Sequence, residues 1–222
     1  SNFTWSANPT SFTVGNSGNG SAAAQNTGAI TINAMPASVG GPISIYGGDV
    51  NVNASMVSTA AGSPILVKAR GSIVTGDGTS AAPRKFQTVS APITLWSDAA
   101  AAGVGRIYTG IFNSFLSNGG RITLAGGLDD GGAAAGITSA AAVASDGFPD
   151  GYARGALSGT ALGANTGVFI GSRNVFTANG ANIFIAGQGS QSGTATQVES
   201  GVFIKSSSID SGVGIVGIFG KA

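Results

Sequence analysis

Residues 42–76, PISIYGGDVNVNASMVSTAAGSPILVKARGSIVTG, decide the fold of this chain. Apolar and polar residues alternate in short segments that begin near residues 43, 50, 65 and 73. A two-residue alternation indicates half-buried β-strands, and here the pattern returns to an equivalent position after about 22 residues. Coils of that length stack at about 4.8 Å in a parallel β-helix, so each inward aliphatic side chain lies above its counterpart. The stretch therefore predicts one coil of a β-helix.

The same alternation recurs along most of the chain, whereas a helical period is almost nowhere found. Further alternating segments begin at Ile30, Ile93, Ile122, Ile183 and Val202, each bounded by Gly, Asn, Ser or Pro. A β-sandwich would also use short alternating strands, but it would not need one phrase to return in register. We therefore predict an all-β fold, a parallel β-helix or solenoid.

One phrase recurs three times with the same residue types in the same order, at residues 109–112, 166–169 and 200–203. Starts at its glycines, Gly110, Gly167 and Gly201, give intervals of 57 and 34 residues. Such spacing suits a repeat whose strands are fixed and whose loops vary. A second alternating segment follows each copy, at Ile122–Leu124, Ile183–Ile185 and Val213–Ile215. The predicted unit is strand, turn, strand.

The longer of the two intervals isolates one Gly/Ala-rich insert. We predict that residues 129–165 form a protruding loop, and that Ala133–Ala144 form a short helix within it because alanine is so frequent there. Loops that leave one coil are where a solenoid usually places its binding residues. Any specificity in this chain is therefore expected in the insert.

Composition excludes several classes of function. Charged residues are 9% of the chain, against about 25% in ordinary globular proteins, and the net charge is +1. The Lys and Arg residues are scattered singly, so nucleic acid is not an expected partner. With neither Cys nor His, the chain cannot form a disulfide, a Cys-His pair, a Ser-His-Asp triad or a typical zinc site. No stretch reaches the roughly 18 apolar residues of a membrane span.

The sequence resembles the filamentous haemagglutinin-like family, the large adhesins exported by bacterial two-partner secretion. The resemblance rests on the segments Gly41–Asn53, Ser63–Ile73, Gly167–Ile170 and Asn182–Gly187. It implies a right-handed parallel β-helix fibre, displayed on the bacterial outer surface or released outside the cell through an outer-membrane partner transporter. The signature of the family's secretion domain is not evident. Residues 1–222 are therefore expected to be a single β-helix segment excerpted from a longer repeat array.

Four aspartates are the candidate site residues, and no residue is assigned a catalytic or cofactor-binding role. Asp129, Asp130, Asp146 and Asp150 are nearly half of the nine carboxylates and lie in the predicted insert. Converging carboxylate oxygens can hold Ca²⁺, so these residues are weak candidates for a structural cation. Their spacing is not that of a calcium loop. Solvated loop charges are the simpler interpretation.

The expected function is a structural and adhesive, non-enzymatic segment of a secreted fibre or filament. Expected partners are neighbouring repeats or another copy along the fibre axis, and a surface glycan or host receptor. A second hypothesis is a β-helix enzyme that cleaves polysaccharides with the insert carboxylates. A third, an ice-binding solenoid, is disfavoured because Thr31, Thr94 and Thr123 do not recur at constant spacing.

Two further patterns give expectations about packing. Phe112, Phe169 and Phe203 occupy one position of the repeat, and we predict that they stack along the solenoid and fix its register. An exposed aromatic ladder for sugars is the alternative interpretation. Residues 212–217, GVGIVG, have the spelling of a dinucleotide-binding loop, but that site also requires a following helix. We interpret them as a Gly-rich strand.

Overall fold

The structure, a computed structural model, describes residues 9–15, 28–132, 143–155, 165–190 and 200–222. Within these ranges the chain is all-β and contains no helix. None of the described residues belongs to a helix long and apolar enough to cross a membrane. Most of the predicted helix, residues 133–142, lies outside the described ranges, as does Trp5.

Nineteen short strands make up the described structure, and all of them have the alternating sequences that favour half-buried β-structure. They are β1 (Phe12–Val14), β2 (Ile30–Ile32), β3 (Ile43–Gly47), β4 (Val50–Val52), β5 (Met56–Ala61), β6 (Ile65–Ala69), β7 (Ile73–Thr75), β8 (Arg84–Val89), β9 (Ile93–Ser97), β10 (Ile107–Thr109), β11 (Asn113–Leu116), β12 (Ile122–Gly126), β13 (Ala153–Arg154), β14 (Val168–Ile170), β15 (Val175–Thr177), β16 (Ile183–Gln188), β17 (Val202–Ile204), β18 (Ser208–Asp210) and β19 (Val216–Lys221).

The strands form three sheets that the chain visits in turn. The first sheet has the order β1-β3-β6-β9-β12-β16, with β13 and β19 both paired to β16; the second is β2-β4-β7-β10-β14-β17; the third is β5-β8-β11-β15-β18. Every pairing between these strands is parallel. Parallel strands in stacked sheets, visited in a fixed rotation, are consistent with a β-helix. The prediction of an all-β, parallel fold is confirmed.

Inward side chains of successive coils align in columns, which we define as sets of residues paired in register through one sheet. In the first sheet, Ile43 pairs with Ile65, and Ile65 with Ile93. The column continues through Ile122 and Ile183. All five side chains have no solvent exposure. The 22-residue coil read from residues 42–76 is therefore confirmed, because Ile43 and Ile65 are direct partners.

The third sheet is the part of each coil that sequence reasoning missed, so the unit has three strands and not two. Its inward column contains three stacked phenylalanines, Phe86, Phe115 and Phe176, all without solvent exposure. Ring centroids are 4.6 Å apart between Phe86 and Phe115 and 4.5 Å apart between Phe115 and Phe176. Adjacent coils at strand spacing place equivalent rings face over face.

Only two of the three copies of the repeated phrase are equivalent in space. Phe169 pairs with Phe203 as predicted, but its partner in the preceding coil is Tyr108 and not Phe112. Phe112 lies in the turn after β10 with a φ of 53°. The first copy is thus shifted by four residues, because the pattern of residue types does not distinguish the strand from the turn that follows it.

The predicted aromatic stack exists with Tyr108 in the place of Phe112. Centroid distances are 4.8 Å from Tyr108 to Phe169 and 5.2 Å from Phe169 to Phe203. These rings lie on the outer face of the second sheet, because their neighbours Val168 and Ile170 are fully buried in the core.

The last predicted strand is also misplaced. Ile183 pairs with Val216, so β19 begins three residues after Val213. Val213 and Ile215 lie in the preceding turn and are 96% and 55% exposed. Gly217 is part of β19, so a strand follows where a dinucleotide-binding loop would need a helix.

Hydroxyl side chains fix the corner where the chain leaves the third sheet for the first. Thr88 donates a 2.6 Å hydrogen bond to the carbonyl of Ala91, and Ser211 donates one of 2.7 Å to the carbonyl of Gly214. Asn118, at the same corner of an intervening coil, has a φ of 50°. Asn tolerates that left-handed conformation better than most side chains do. Tight corners therefore explain why small polar residues separate the strands.

Removing the central ring of the inward stack should destabilise the solenoid strongly. We expect Phe115→Ala to lower the free energy of unfolding by about 3–5 kcal/mol, since a buried aromatic is lost and its cavity is closed above and below by rings. Urea unfolding followed by circular dichroism measures this change. Phe112→Ala, which truncates a half-buried ring in a turn, is the matched control. Equal losses in the two variants would contradict the assignment of Phe115 to the core.

Candidate functional site

The candidate site lies in the connection between β12 and β14. In the second sheet, Ile107 pairs with Val168 and Val168 with Val202, which gives intervals of 61 and 34 residues. The coil that contains the connection is thus 27 residues longer than the next one, and the predicted insert, residues 129–165, lies within it. The structure describes residues 127–132, 143–155 and 165–167 of this connection.

Part of the connection replaces the end of a coil strand. Partners of β12 along β16 end at Ile185, and β13 then pairs with β16 through Ala153 and Gly187. An antiparallel bridge between Gly126 and Gly151 marks the point at which the chain turns back. A Cβ on Gly126 would lie 2.7 Å from the carbonyl oxygens of Ser97 and Tyr152, so glycine is required there.

The connection is packed against the outer face of the first sheet. Trp96, Ala125, Ala186 and Phe219 form one outward row in register, and the two alanines leave room between the larger rings. Tyr152 packs against Ala125 and Ala186, together with Phe219. The position of Tyr152 therefore depends on two small side chains that face away from the main core.

A hydrogen bond from the sheet to the connection supports the same arrangement. The Trp96 indole donates through Nε1 to the carbonyl of Gly127 at 2.7 Å, and Trp96 is only 6% exposed. A buried indole N–H usually finds such a partner. Trp96, which the sequence gave no role, thus fixes the point where the connection begins.

Three of the four candidate aspartates come together. Carboxylate oxygens of Asp129, Asp146 and Asp150 all lie within 4.8 Å of one another. Asp130 is not part of this cluster, and one of its oxygens accepts a 3.0 Å hydrogen bond from the Gly132 N–H. We call Asp129, Asp146 and Asp150 the acidic cluster.

Backbone N–H groups of the connection already use several oxygens of the acidic cluster. The two oxygens of Asp129 accept hydrogen bonds from the N–H groups of Asp146 at 3.1 Å and Gly147 at 2.8 Å. Asp146 accepts one from the Phe148 N–H at 2.9 Å. These contacts stabilise a turn, as aspartates in loops commonly do.

Asp150 is the buried member of the acidic cluster, with 1% exposure. Its oxygens accept hydrogen bonds from the N–H groups of Gly131 at 2.7 Å and Val143 at 3.1 Å. Burial raises the pKa of Asp150, and the negative charges of Asp129 and Asp146 raise it further, while the two N–H donors oppose the rise. Both remote parts of the connection are therefore tied to one carboxylate.

Two cations from the first sheet face the acidic cluster. Arg121 forms a 3.1 Å ion pair with Asp146, and its guanidinium lies 4.0 Å from the centre of the Phe148 ring. The Lys68 ammonium lies 3.5 Å from the centre of the Trp96 ring. Burial lowers the pKa of Lys68, and the charge of Asp129 raises it again.

The acidic cluster can act in two ways. Its oxygens are the ligand type that Ca²⁺ prefers, but Ca²⁺ takes about six to eight of them. Each carboxylate is also hydrogen-bonded to the connection, and Arg121 and Lys68 supply opposite charge. This pattern of contacts suits a carboxylate-capped loop, and the structural cation remains a prediction from the sequence.

A second anchor, Asp98 with Arg154, was missed by sequence reasoning. Asp98 follows β9 directly, is 1% exposed, and accepts bonds of 3.2 Å from the Gly103 N–H at both oxygens. The Arg154 Nε lies 3.8 Å from an Asp98 oxygen, and the Arg154 backbone forms a bridge with Gly105. The signal in the sequence was an acidic residue directly after an apolar strand. Its partner lies 56 positions further on.

Burial raises the pKa of Asp98 to about 6, against the lowering effect of N–H donors and of Arg154. The carboxylate is therefore a costly group to keep ionised inside the fold, although its partners reduce that cost. Asp98 links the loop after β9 to β13. The sequence predicted that loop, Ala99–Gly105, only as a small-residue interruption.

Comparisons with known proteins add no relative. No protein-family model matches the chain, and no curated protein and no solved structure matches it either.

Asp98 should give the stability of the protein a characteristic pH dependence. Because its pKa is higher in the folded chain than the ordinary value of 3.8, the folded state binds the proton more tightly than the unfolded state does. The stabilisation is then complete below about pH 4 and is lost as the pH rises through about 6, with a size on the order of 2–3 kcal/mol.

Urea unfolding of the unmodified chain and of Asp98→Asn, from pH 4 to 7.5, tests this. The difference in unfolding free energy between the two proteins should fall as the pH rises and then level off above about pH 7. Asp49→Asn is the control for a carboxylate outside this loop, since Asp49 accepts a bond from the Ser72 N–H in another coil. A difference that is flat or that increases with pH would contradict the assignment.

Proposed function

We propose that this chain is a structural and adhesive, non-enzymatic segment of a secreted bacterial surface fibre or filament. Its coils would form a right-handed parallel β-helix, as in the filamentous haemagglutinin-like adhesins that its sequence resembles. The proposal places the protein outside the cell or on the bacterial outer surface, after export through an outer-membrane partner transporter. Its partners are further coils along the fibre axis, and a surface glycan or a host receptor.

The observation that supports this proposal most is the constant register of the first sheet. From Phe12 in β1 to Val216 in β19, each pairing places the first inward residue of one strand on that of the next. A stack with constant register grows in one direction and buries its core only between neighbours. Such an arrangement suits a shaft better than a compact catalytic domain.

The composition of the chain agrees with a shaft. Corners need small residues, and the chain contains 38 glycines. The inward columns use aliphatic and aromatic side chains that need no polar partner. Within the proposal, the Gly/Ala-rich insert is the part that distinguishes one coil from the others, and ligand contacts are assigned to it.

The contacts of the acidic cluster favour a structural role over the alternative, a polysaccharide-cleaving enzyme. A pair of carboxylates that acts as acid and nucleophile needs oxygens free to meet the substrate. In the cluster, both oxygens of Asp129 and of Asp150 accept bonds from the loop backbone, and Asp146 is paired with Arg121. We therefore assign these aspartates to holding the connection together.

Incubation with acidic polysaccharides distinguishes the two functions. We expect no turnover of polygalacturonate, alginate or hyaluronate, measured by new reducing ends and by the ultraviolet absorbance of unsaturated uronates. Turnover that is lost in Asp146→Asn but kept in Asp130→Asn, which changes a neighbouring carboxylate outside the cluster, would establish the enzyme instead. The pair of variants separates chemistry from a general loss of loop charge.

Electron microscopy and light scattering test the fibre itself. Seven stacked strands of the first sheet span only about 29 Å at the spacing of β-strands. An elongated particle therefore requires more coils than one chain supplies. We expect straight particles of constant width that lengthen by end-to-end association as the protein concentration rises. Compact globules that neither elongate nor associate would contradict the fibre.

A further inference from the structure

The last coil has one free edge in each of the three sheets. β17 pairs with β14, β18 with β15 and β19 with β16, and none of the three has a partner on its other edge among the described residues. Free parallel edges present unpaired N–H and C=O groups to another strand. The end of the solenoid is therefore a pairing surface, which we call the tail end and define by β17, β18 and β19.

The core is half covered at the tail end. Val216 and Ile218 are 41% and 46% exposed, although their partners in β16, Ile183 and Ile185, have no exposure. The outer aromatic stack is similarly unfinished, since Phe203 is 36% exposed and Phe169 only 4%. These side chains face along the solenoid axis and not sideways. Another coil at strand spacing would cover them.

The first coil presents the opposite edges of the same columns. Phe12 begins the column that ends at Val216, and Val14 begins the column that ends at Ile218. Both residues of β1 are partly exposed and pack against the core. We define the head end by β1 and β2, which have no partner on their outer edges among the described residues.

The second sheet repeats this match. Ile30 begins the column that ends at Val202, and Ile32 begins the column that ends at Ile204. All four side chains are apolar and belong to the main core or pack against it. Head and tail therefore offer apolar residues at the same positions of the coil in two sheets at once.

We propose that the head end of a second copy of this chain stacks on the tail end, with β1 on β19 and β2 on β17. Phe12 of the second copy then lies over Val216, and Ile30 over Val202, continuing the register of the solenoid. The inference rests on the proposed fibre function and deepens it by naming the partner and the register. Each added copy presents a new tail end, so the contact is heterologous and does not close.

The direction of the chain excludes the symmetric alternative. The chain visits the first, second and third sheets in a fixed rotation about the axis. Two tail ends placed face to face would have opposite rotations, and their three sheets could not superpose together. They would also meet as antiparallel strands, against the parallel pairing of all these sheets. Head-to-tail stacking is the arrangement that lets the β1–β19 and β2–β17 pairs form at the same time.

Cysteine cross-linking tests the register, since the chain has no cysteine of its own. Thr31 lies in β2 between Ile30 and Ile32, and Phe203 lies in β17 between Val202 and Ile204. The proposed stack places Thr31 over Phe203, at the Cα separation of about 5 Å that a disulfide needs. Thr31→Cys and Phe203→Cys proteins are mixed and oxidised, and the products are separated on a non-reducing gel.

We expect the mixed dimer of Thr31→Cys and Phe203→Cys to exceed each homodimer by about tenfold, because only the mixed pair has disulfide geometry. The matched control replaces Thr31→Cys by Thr13→Cys, an equally exposed position in β1 that faces outward from a different sheet. It should give little mixed dimer. Equal yields from the matched and mismatched pairs, or homodimers alone, would overturn the proposal.

A measurement without cysteine uses Ile218→Asp, which places a charge in the proposed contact at a side chain already 46% exposed. Sedimentation should show concentration-dependent association of the unmodified chain and its loss in this variant. Ile111→Asp, at a side chain 39% exposed in a turn far from both ends, should associate like the unmodified chain. Equal behaviour of the two variants would overturn the assignment of the contact.

The outcomes also separate this inference from the function on which it rests. End-to-end particles in the microscope without the Thr31–Phe203 cross-link would leave a fibre but overturn this register. Turnover of an acidic polysaccharide would overturn the proposed function even if the cross-link formed. Circular dichroism of each variant confirms that it is folded before the comparison is made.

Discussion

The alignment of inward side chains between parallel strands about 4.8 Å apart is the constraint on which the rest of the structure depends. Because Ile43, Ile65, Ile93, Ile122 and Ile183 lie directly over one another, a change of register in one coil would turn its apolar residues outward. Every turn must therefore return the chain to the same column. That requirement explains the small residues at the corners and the side-chain hydrogen bonds that fix them.

The same constraint explains how one coil can contain a long connection without disturbing its neighbours. Columns above and below it keep their register, since Ile122 still pairs with Ile183 and Ile107 with Val168. The extra residues leave the coil after β12 and return at β14. Their described parts then pack on the outer face of the first sheet through Tyr152. Stability of the shaft and variation of the connection are thus largely separate.

Few charges are present, and those that are buried hold the connection in place. Asp98 and Asp150 are both 1% exposed, and burial raises the pKa of each. Their oxygens accept backbone N–H bonds that tie distant segments together. A buried carboxylate with such partners costs less than an unpaired one, but it makes the arrangement sensitive to pH.

The sequence by itself determined the strand type, the coil length near residues 42–76 and the column of isoleucines, because alternation reports which face of a strand is buried. It also located the aspartates. Only the tertiary structure decided that Tyr108 and not Phe112 stacks on Phe169, that a third sheet completes each coil, and that Asp98 meets Arg154. Those outcomes depend on pairing between residues far apart in the chain. A local pattern of apolar and polar residues is the same for several registers, and only contact between coils selects one of them.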